Sequence, residues 1–104
     1  YIYVVNIMFP QKLERIIRPL ASKIIESKVK DSKSIYYEVD DVRIRLSDHP
    51  AHSMDYDLAI YYLNTHYIVI SVHNKRMESE TYRTKEEVIE YIKLFVKLKR
   101  LFLG

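Results

Sequence analysis

The sequence predicts a single α+β domain: an N-terminal helix, an antiparallel sheet of four to five strands arranged as hairpins, and a C-terminal helix packed on the sheet. Three observations predict it. Apolar residues recur at helical spacing from Leu13 to Ile25 and again from Val88 to Phe102. Between them, residues 35–39, 42–47, 58–62 and 67–72 carry apolar side chains at every second position, the period of strands. A chain of 104 residues supplies one domain, and one core, rather than two.

Residues 1–9 read as an extra strand or an upstream segment. Tyr1-Ile2-Tyr3-Val4-Val5-Asn6-Ile7 is apolar and of β type, and it lacks the basic n-region and small-residue cleavage site of a signal peptide. From Pro10 onward, Leu13, Ile16, Ile17, Leu20, Ala21, Ile24 and Ile25 form one continuous helical stripe. Pro10 suits a first turn, where its missing N–H would have had no partner. Pro19 removes a hydrogen bond from the middle and is expected to kink or split the helix. The polar residues from Ser27 to Ser34 then read as a loop.

The clearest local structure comes next. Ile35, Tyr37 and Val39 alternate with Tyr36 and Glu38; Val42, Ile44 and Leu46 alternate with Arg43, Arg45 and Ser47; Asp40-Asp41 lies between. A two-residue turn there sets Val39 against Val42, Tyr37 against Ile44 and Ile35 against Leu46. On the other side Glu38 meets Arg43 and Tyr36 meets Arg45, so one register satisfies both faces. Arg43 and Arg45 are thereby expected on the solvent face, with Arg45 stacked on Tyr36.

Ser47–Asp55 reads as a loop. Leu58, Ile60 and Tyr62 mark a third strand, Ile68, Ile70 and Val72 a fourth, and residues 80–83 a short edge strand. Thr84-Lys85-Glu86-Glu87 is a capping box that opens a helix from Lys85 to about Leu103. Its apolar positions Val88, Ile92, Phe95, Leu98, Leu101 and Phe102 are expected to face the sheet. Acids in its first turns and Lys97, Lys99 and Arg100 near its end match the helix dipole.

Composition excludes several classes of function. With no cysteine there are no disulfides, zinc–thiolate sites or thiol nucleophiles, which fits a reducing cytoplasm. No window reaches the roughly 18 apolar residues of a membrane span. The only glycine is Gly104, so glycine-rich phosphate loops are impossible and positive-φ turns are not expected. Net charge is +3, distributed as +4 over residues 1–30, −4 over 31–60 and +3 over 61–104. Basic ends around an acidic middle can steer a polyanion or an acidic protein face.

Candidate chemistry is sparse. Asp48, His49, His52, Asp55 and Asp57 hold the side chains of a metal site or an acid–base pair. The i, i+3 spacing of His49 and His52 suits a helix, however, and Pro50 makes this segment a loop; Asp48 and Ser47 are the residue types that bond loop amides and stop a strand. Ser47-Asp48-His49 is not a triad, because adjacent side chains on an extended chain diverge. Tyr36, Tyr37, Tyr61, Tyr62 and Tyr67 could form stacking platforms for bases, although residues 31–60 are net acidic. Lys93, Lys97 and Arg100 follow one stripe of the last helix, and Lys12, Arg15 and Arg18 one of the first. Rows like these are ordinarily a solvated face, and if functional they suit phosphate or an acidic partner.

The run Tyr37-Glu38-Val39-Asp40-Asp41-Val42-Arg43-Ile44-Arg45-Leu46-Ser47-Asp48-His49 resembles a recurring phage pattern, a tight hairpin ending in Ile-Arg-Leu-Ser-Asp-His. A family of type II-A anti-CRISPR proteins, inhibitors of an RNA-guided nuclease, carries a similar signature. The pair Tyr56-Asp57, the strand after it and the Ile/Lys/Leu-rich last helix look like that family too, so the resemblance runs from about Lys33 to Leu103. It departs at residues 1–9, where the family has a long arginine-rich arm.

The resemblance implies a phage-encoded inhibitor, not an enzyme, that needs no cofactor or metal. Such a protein would bind an RNA-guided nuclease, another host protein or the bound nucleic acid and block it without catalysis. Arg43, Arg45, Asp48, His49, Lys93, Lys97 and Arg100 are the candidate binding residues. Two docking modes stay open, one through the basic hairpin and last helix and one through the acidic loop Asp48–Asp57. The alternatives are a small nucleic-acid-binding module using Arg43, Arg45, Lys93, Lys97 and Arg100, and a metal-dependent hydrolase at His49 and His52.

Overall fold

In a computed structural model of the chain, residues 7–29, 32–50, 54–63 and 65–103 are described. The element order is β1 (Ile7–Met8), α1 (Gln11–Ile17) with a 3₁₀ turn (Arg18–Leu20), β2 (Lys23–Val29), β3 (Ser32–Val39), β4 (Val42–Ser47), β5 (Leu58–Leu63), β6 (His66–His73), β7 (Arg76–Tyr82) and α2 (Lys85–Leu103). The strands form one sheet in the order β2-β3-β4-β5-β6-β7, and β1 pairs with the far end of β5. The fold is α+β as expected, with more strands than the four to five anticipated.

The first helix is shorter than its stripe implies. It ends at Ile17; Pro19 sits in the 3₁₀ turn, and Ala21 is already extended. Ile24 and Ile25 satisfy a helical stripe, but as β-branched residues they also suit a strand. The ladder from Lys23↔Glu38 to Val29↔Ser32 satisfies their backbone groups, which a helix broken by proline would not. Most of the segment expected as a polar loop, Ser27–Ser34, is therefore strand.

The central hairpin pairs as the alternation predicts: Val39↔Val42, Glu38↔Arg43, Tyr37↔Ile44, Tyr36↔Arg45 and Ile35↔Leu46. Its turn is tight, with Asp40 at φ 48° and Asp41 at φ 68°. The β6–β7 turn repeats this with Asn74 at 51° and Lys75 at 64°. Positive-φ turns thus occur without glycine. Their twist matches that of the flanking strands, and Asp and Asn tolerate the left-handed region best after glycine.

β4 and β5 run parallel, Ile44↔Leu58 to Leu46↔Ile60, so the sheet is mixed rather than wholly antiparallel. Parallel neighbours need a crossover, and the segment between Ser47 and Leu58 supplies it. Val42, Ile44, Leu46, Leu58, Ile60 and Val69 pack with Leu13 and Ile17 of α1 and with Val88, Ile92 and Val96 of α2. The crossover takes the opposite face, where Tyr56 is buried with Ala59 and Tyr61. The sheet is covered on one side by helices and on part of the other by a loop.

α2 begins on its expected cap. The Thr84 hydroxyl accepts from the Glu87 N–H at 3.1 Å and lies 3.1 Å from the Glu87 carboxylate, to which it donates. Val88, Ile92 and Val96 form the buried line. Leu98 and Leu101, expected against the sheet, are exposed, because about 100° of turn per residue carries them round the helix. The Phe102 side chain lies outside the described residues. No described helix is long and apolar enough to cross a membrane.

Candidate functional site

The candidate binding residues separate into two groups on opposite faces of the sheet. Val42, Ile44 and Leu46 face α2, so the intervening Arg43 and Arg45 face the crossover. Lys93, Lys97 and Arg100 project from α2 on the helical side. The hairpin arginines and the helix cations do not make one surface.

Arg45 is the main correction. It is 4% exposed instead of lying in solvent, because the crossover folds over it. Its Nη2 is 3.0 Å from Ser34 Oγ and 3.1 Å from His49 Nε2, and its Nη1 donates to the His49 carbonyl at 3.4 Å. Arg43, not Arg45, stacks on Tyr36, its guanidinium carbon 4.7 Å from the ring centroid. Arg43 Nε is buried without a hydrogen-bond partner among the described residues.

His49 continues the chain of contacts through Nδ1, 2.8 Å from Asp48 Oδ1. A guanidinium can only donate, so His49 Nε2 accepts from Arg45 and Nδ1–H donates to the carboxylate. Asp48 Oδ1 also accepts from the Lys33 N–H at 3.0 Å, and the Ser47 hydroxyl donates to the His49 carbonyl at 2.9 Å. Burial would push the Asp48 carboxyl up; the bonds from His49 and the Lys33 amide outweigh it and hold it below its ordinary value. The imidazole thus links a buried cation to a carboxylate.

Each part of Ile-Arg-Leu-Ser-Asp-His therefore has a structural task. Ile44 and Leu46 fill the core, Arg45 fixes the crossover, and Ser47, Asp48 and His49 shape its start. Asp55 and Asp57 of the acidic loop are engaged in the same way. The Tyr36 hydroxyl reaches Asp55 at 3.3 Å, and Asp57 Oδ2 accepts from the Arg43 N–H and from Lys99 Nζ, each at 2.8 Å. Burial raises the Tyr56 hydroxyl above its usual pKa. His52 lies outside the described residues, and no cluster of three or more metal-ligating side chains occurs among those described.

The tyrosines make poor stacking platforms. Tyr37, Tyr61 and Tyr67 are buried, and Tyr62 packs on Tyr67 with centroids 4.9 Å apart. Bases stack only on exposed ring faces.

The last helix keeps its expected cations outward. Lys93 is 69% exposed and only 4.0 Å from Glu90, a loose contact; Lys97 is exposed with no ion pair among the described residues. Arg100 is instead tied to Asp40 of the hairpin turn at 2.9 Å. Lys99, which sequence reasoning left out, donates to both Asp57 and the Asp41 carbonyl. Only its place at the inner edge of the helix distinguishes it from its neighbours, and that requires the exact rotation of α2.

Beside these cations runs a groove of about 590 Å³. Leu20 of the 3₁₀ turn, 57% exposed, and Leu101 of α2, 70% exposed, both line it. Val39, Ile92 and Val96 contribute its more buried surface, and Lys93, Lys97 and Arg100 also line it. No family model, curated protein or solved structure matches this chain.

Proposed function

We propose that this chain is a non-catalytic inhibitor of phage type that docks on an RNA-guided nuclease–guide complex through the outer face of α2. The observation that carries the reading is the contrast within that helix. Lys99 and Arg100 are tied to the hairpin turn and crossover, whereas Lys93 and Lys97 stand in solvent beside exposed leucines. Cations free of strong partners keep their field for a binding partner and raise the rate of encounter with an anionic surface. The nuclease as partner rests on the resemblance of residues 44–49.

The same contacts favour the basic docking mode over the acidic one. Asp48, Asp55 and Asp57 already accept bonds from the fold, so engaging a partner through them would cost those contacts. A binding assay comparing guide-loaded with empty nuclease tests the reading. Retention by the loaded complex, lost in Lys93→Glu/Lys97→Glu, supports it. Absence of binding to either form refutes it.

A further inference from the structure

The groove beside Lys93 and Lys97 narrows the chemistry of the partner. We infer that it receives an acidic peptide segment with aliphatic anchors, supplied by a protein rather than by a nucleic acid. The inference rests on the reading that the outer face of α2 is the docking face.

Leu20 and Leu101 stand more than half exposed in the groove, with Val39, Ile92 and Val96 more deeply set. Val39, Ile92 and Val96 are already more than nine-tenths buried, so the apolar area on offer is that of Leu20 and Leu101, which a phosphate backbone would cover without gaining anything from it. Leucine or isoleucine side chains would gain by leaving water there. Carboxylates on the same segment would reach Lys93 and Lys97, which offer charge without competing tight pairs. Arg100, held by Asp40, borders the groove as a fixed element. An apolar centre with a charged rim is the anatomy of a peptide-binding surface, in which the buried anchors carry affinity and the rim carries selectivity. A helical ligand would present such anchors at i, i+3, i+4 and i+7.

The test uses the whole chain and two fluorescent probes in anisotropy titrations: a short peptide with leucines at that spacing separated by glutamates, and single-stranded oligo-dT. The peptide is expected to bind saturably. Its affinity should fall by roughly tenfold or more in Leu101→Glu and in Lys93→Glu/Lys97→Glu, as for loss of interface anchors. A peptide with glutamine in place of glutamate should bind more weakly to the unaltered chain, a comparison that needs no mutation. Circular dichroism checks that the variants, all at exposed positions, remain folded.

Absence of peptide binding, or binding indifferent to both variants, overturns the inference. So does preferential binding of oligo-dT with a steep loss in salt and no effect of Leu101→Glu. The docking reading is judged separately on the guide-loaded nuclease. If Lys93→Glu/Lys97→Glu abolishes retention while Leu101→Glu does not, that reading stands and the peptide inference fails. If neither variant changes retention, the docking reading fails as well.

Discussion

Lys99 Nζ and Asp57 Oδ2 lie 2.8 Å apart, joining the last turns of α2 to the start of β5 across 42 residues of sequence. Asp57 also accepts from the Arg43 N–H, and Lys99 also donates to the Asp41 carbonyl. One partly buried ion pair thereby fastens the helix, the hairpin turn and the end of the crossover.

Asp57→Ala should destabilise the chain by about 1–3 kcal/mol, because it leaves both the Arg43 amide and the Lys99 ammonium without their acceptor. Lys99→Met should cost less, since its stem can still pack. Urea unfolding of the two single variants and the double variant checks this. A coupling energy near zero would show that the contact contributes nothing.

Arg45→Ala should lower stability by about 1–3 kcal/mol, by stripping Ser34 Oγ, His49 Nε2 and the His49 carbonyl of a buried donor. In the neutral ring of His49, nitrogen-15 shifts should report the proton on Nδ1, with Nε2 as the acceptor. The opposite tautomer is incompatible with the Arg45 contact.

Asp48 sets an acid limit. Its carboxyl is depressed in the folded chain, so the stability it contributes is complete above the unfolded value of about 3.9 and disappears as pH falls through the lower folded value. Asp48→Asn should be less stable than the parent at neutral pH, with the gap closing below about pH 4. Thermal melts across that range measure it; a gap independent of pH would contradict the assignment.

Lys75 sits at φ 64° in the β6–β7 turn, where a Cβ is unfavourable. Lys75→Gly should raise stability by roughly 0.5–1 kcal/mol, the relief of left-handed strain less the added entropy of the unfolded chain. Thermal melts read the change directly. A decrease would mean that the lysine side chain contributes more than its backbone costs.

The register of the central hairpin, the fourth strand and the capped start of α2 were legible in the sequence. In the hairpin and the cap the residues that meet are close in the chain, and the period assigns their faces. In the fourth strand the period showed a strand but not its face, since Tyr67 and Val69 join the helix-covered core while Ile68, Ile70 and Val72 lie on the other side. The second strand was not legible. Ile24 and Ile25 fit a helical stripe and a strand equally well, and pairing with β3 decided between them. The candidate site was half legible: Lys93, Lys97 and Arg100 shared a visible stripe, but nothing local showed that Leu20 would line a groove with Leu101.

By itself, then, the sequence determined the α+β class, the tight turn at Asp40-Asp41 and the outward lysines of α2, all set by neighbouring residues. Only the tertiary structure decided that β5 runs parallel to β4, that the crossover buries Arg45, and that Lys99 reaches Asp57. Those outcomes depend on which face a connecting loop takes once the core has formed. Local periodicity says nothing about that choice, because a loop's path is fixed by the contacts it makes at its far end.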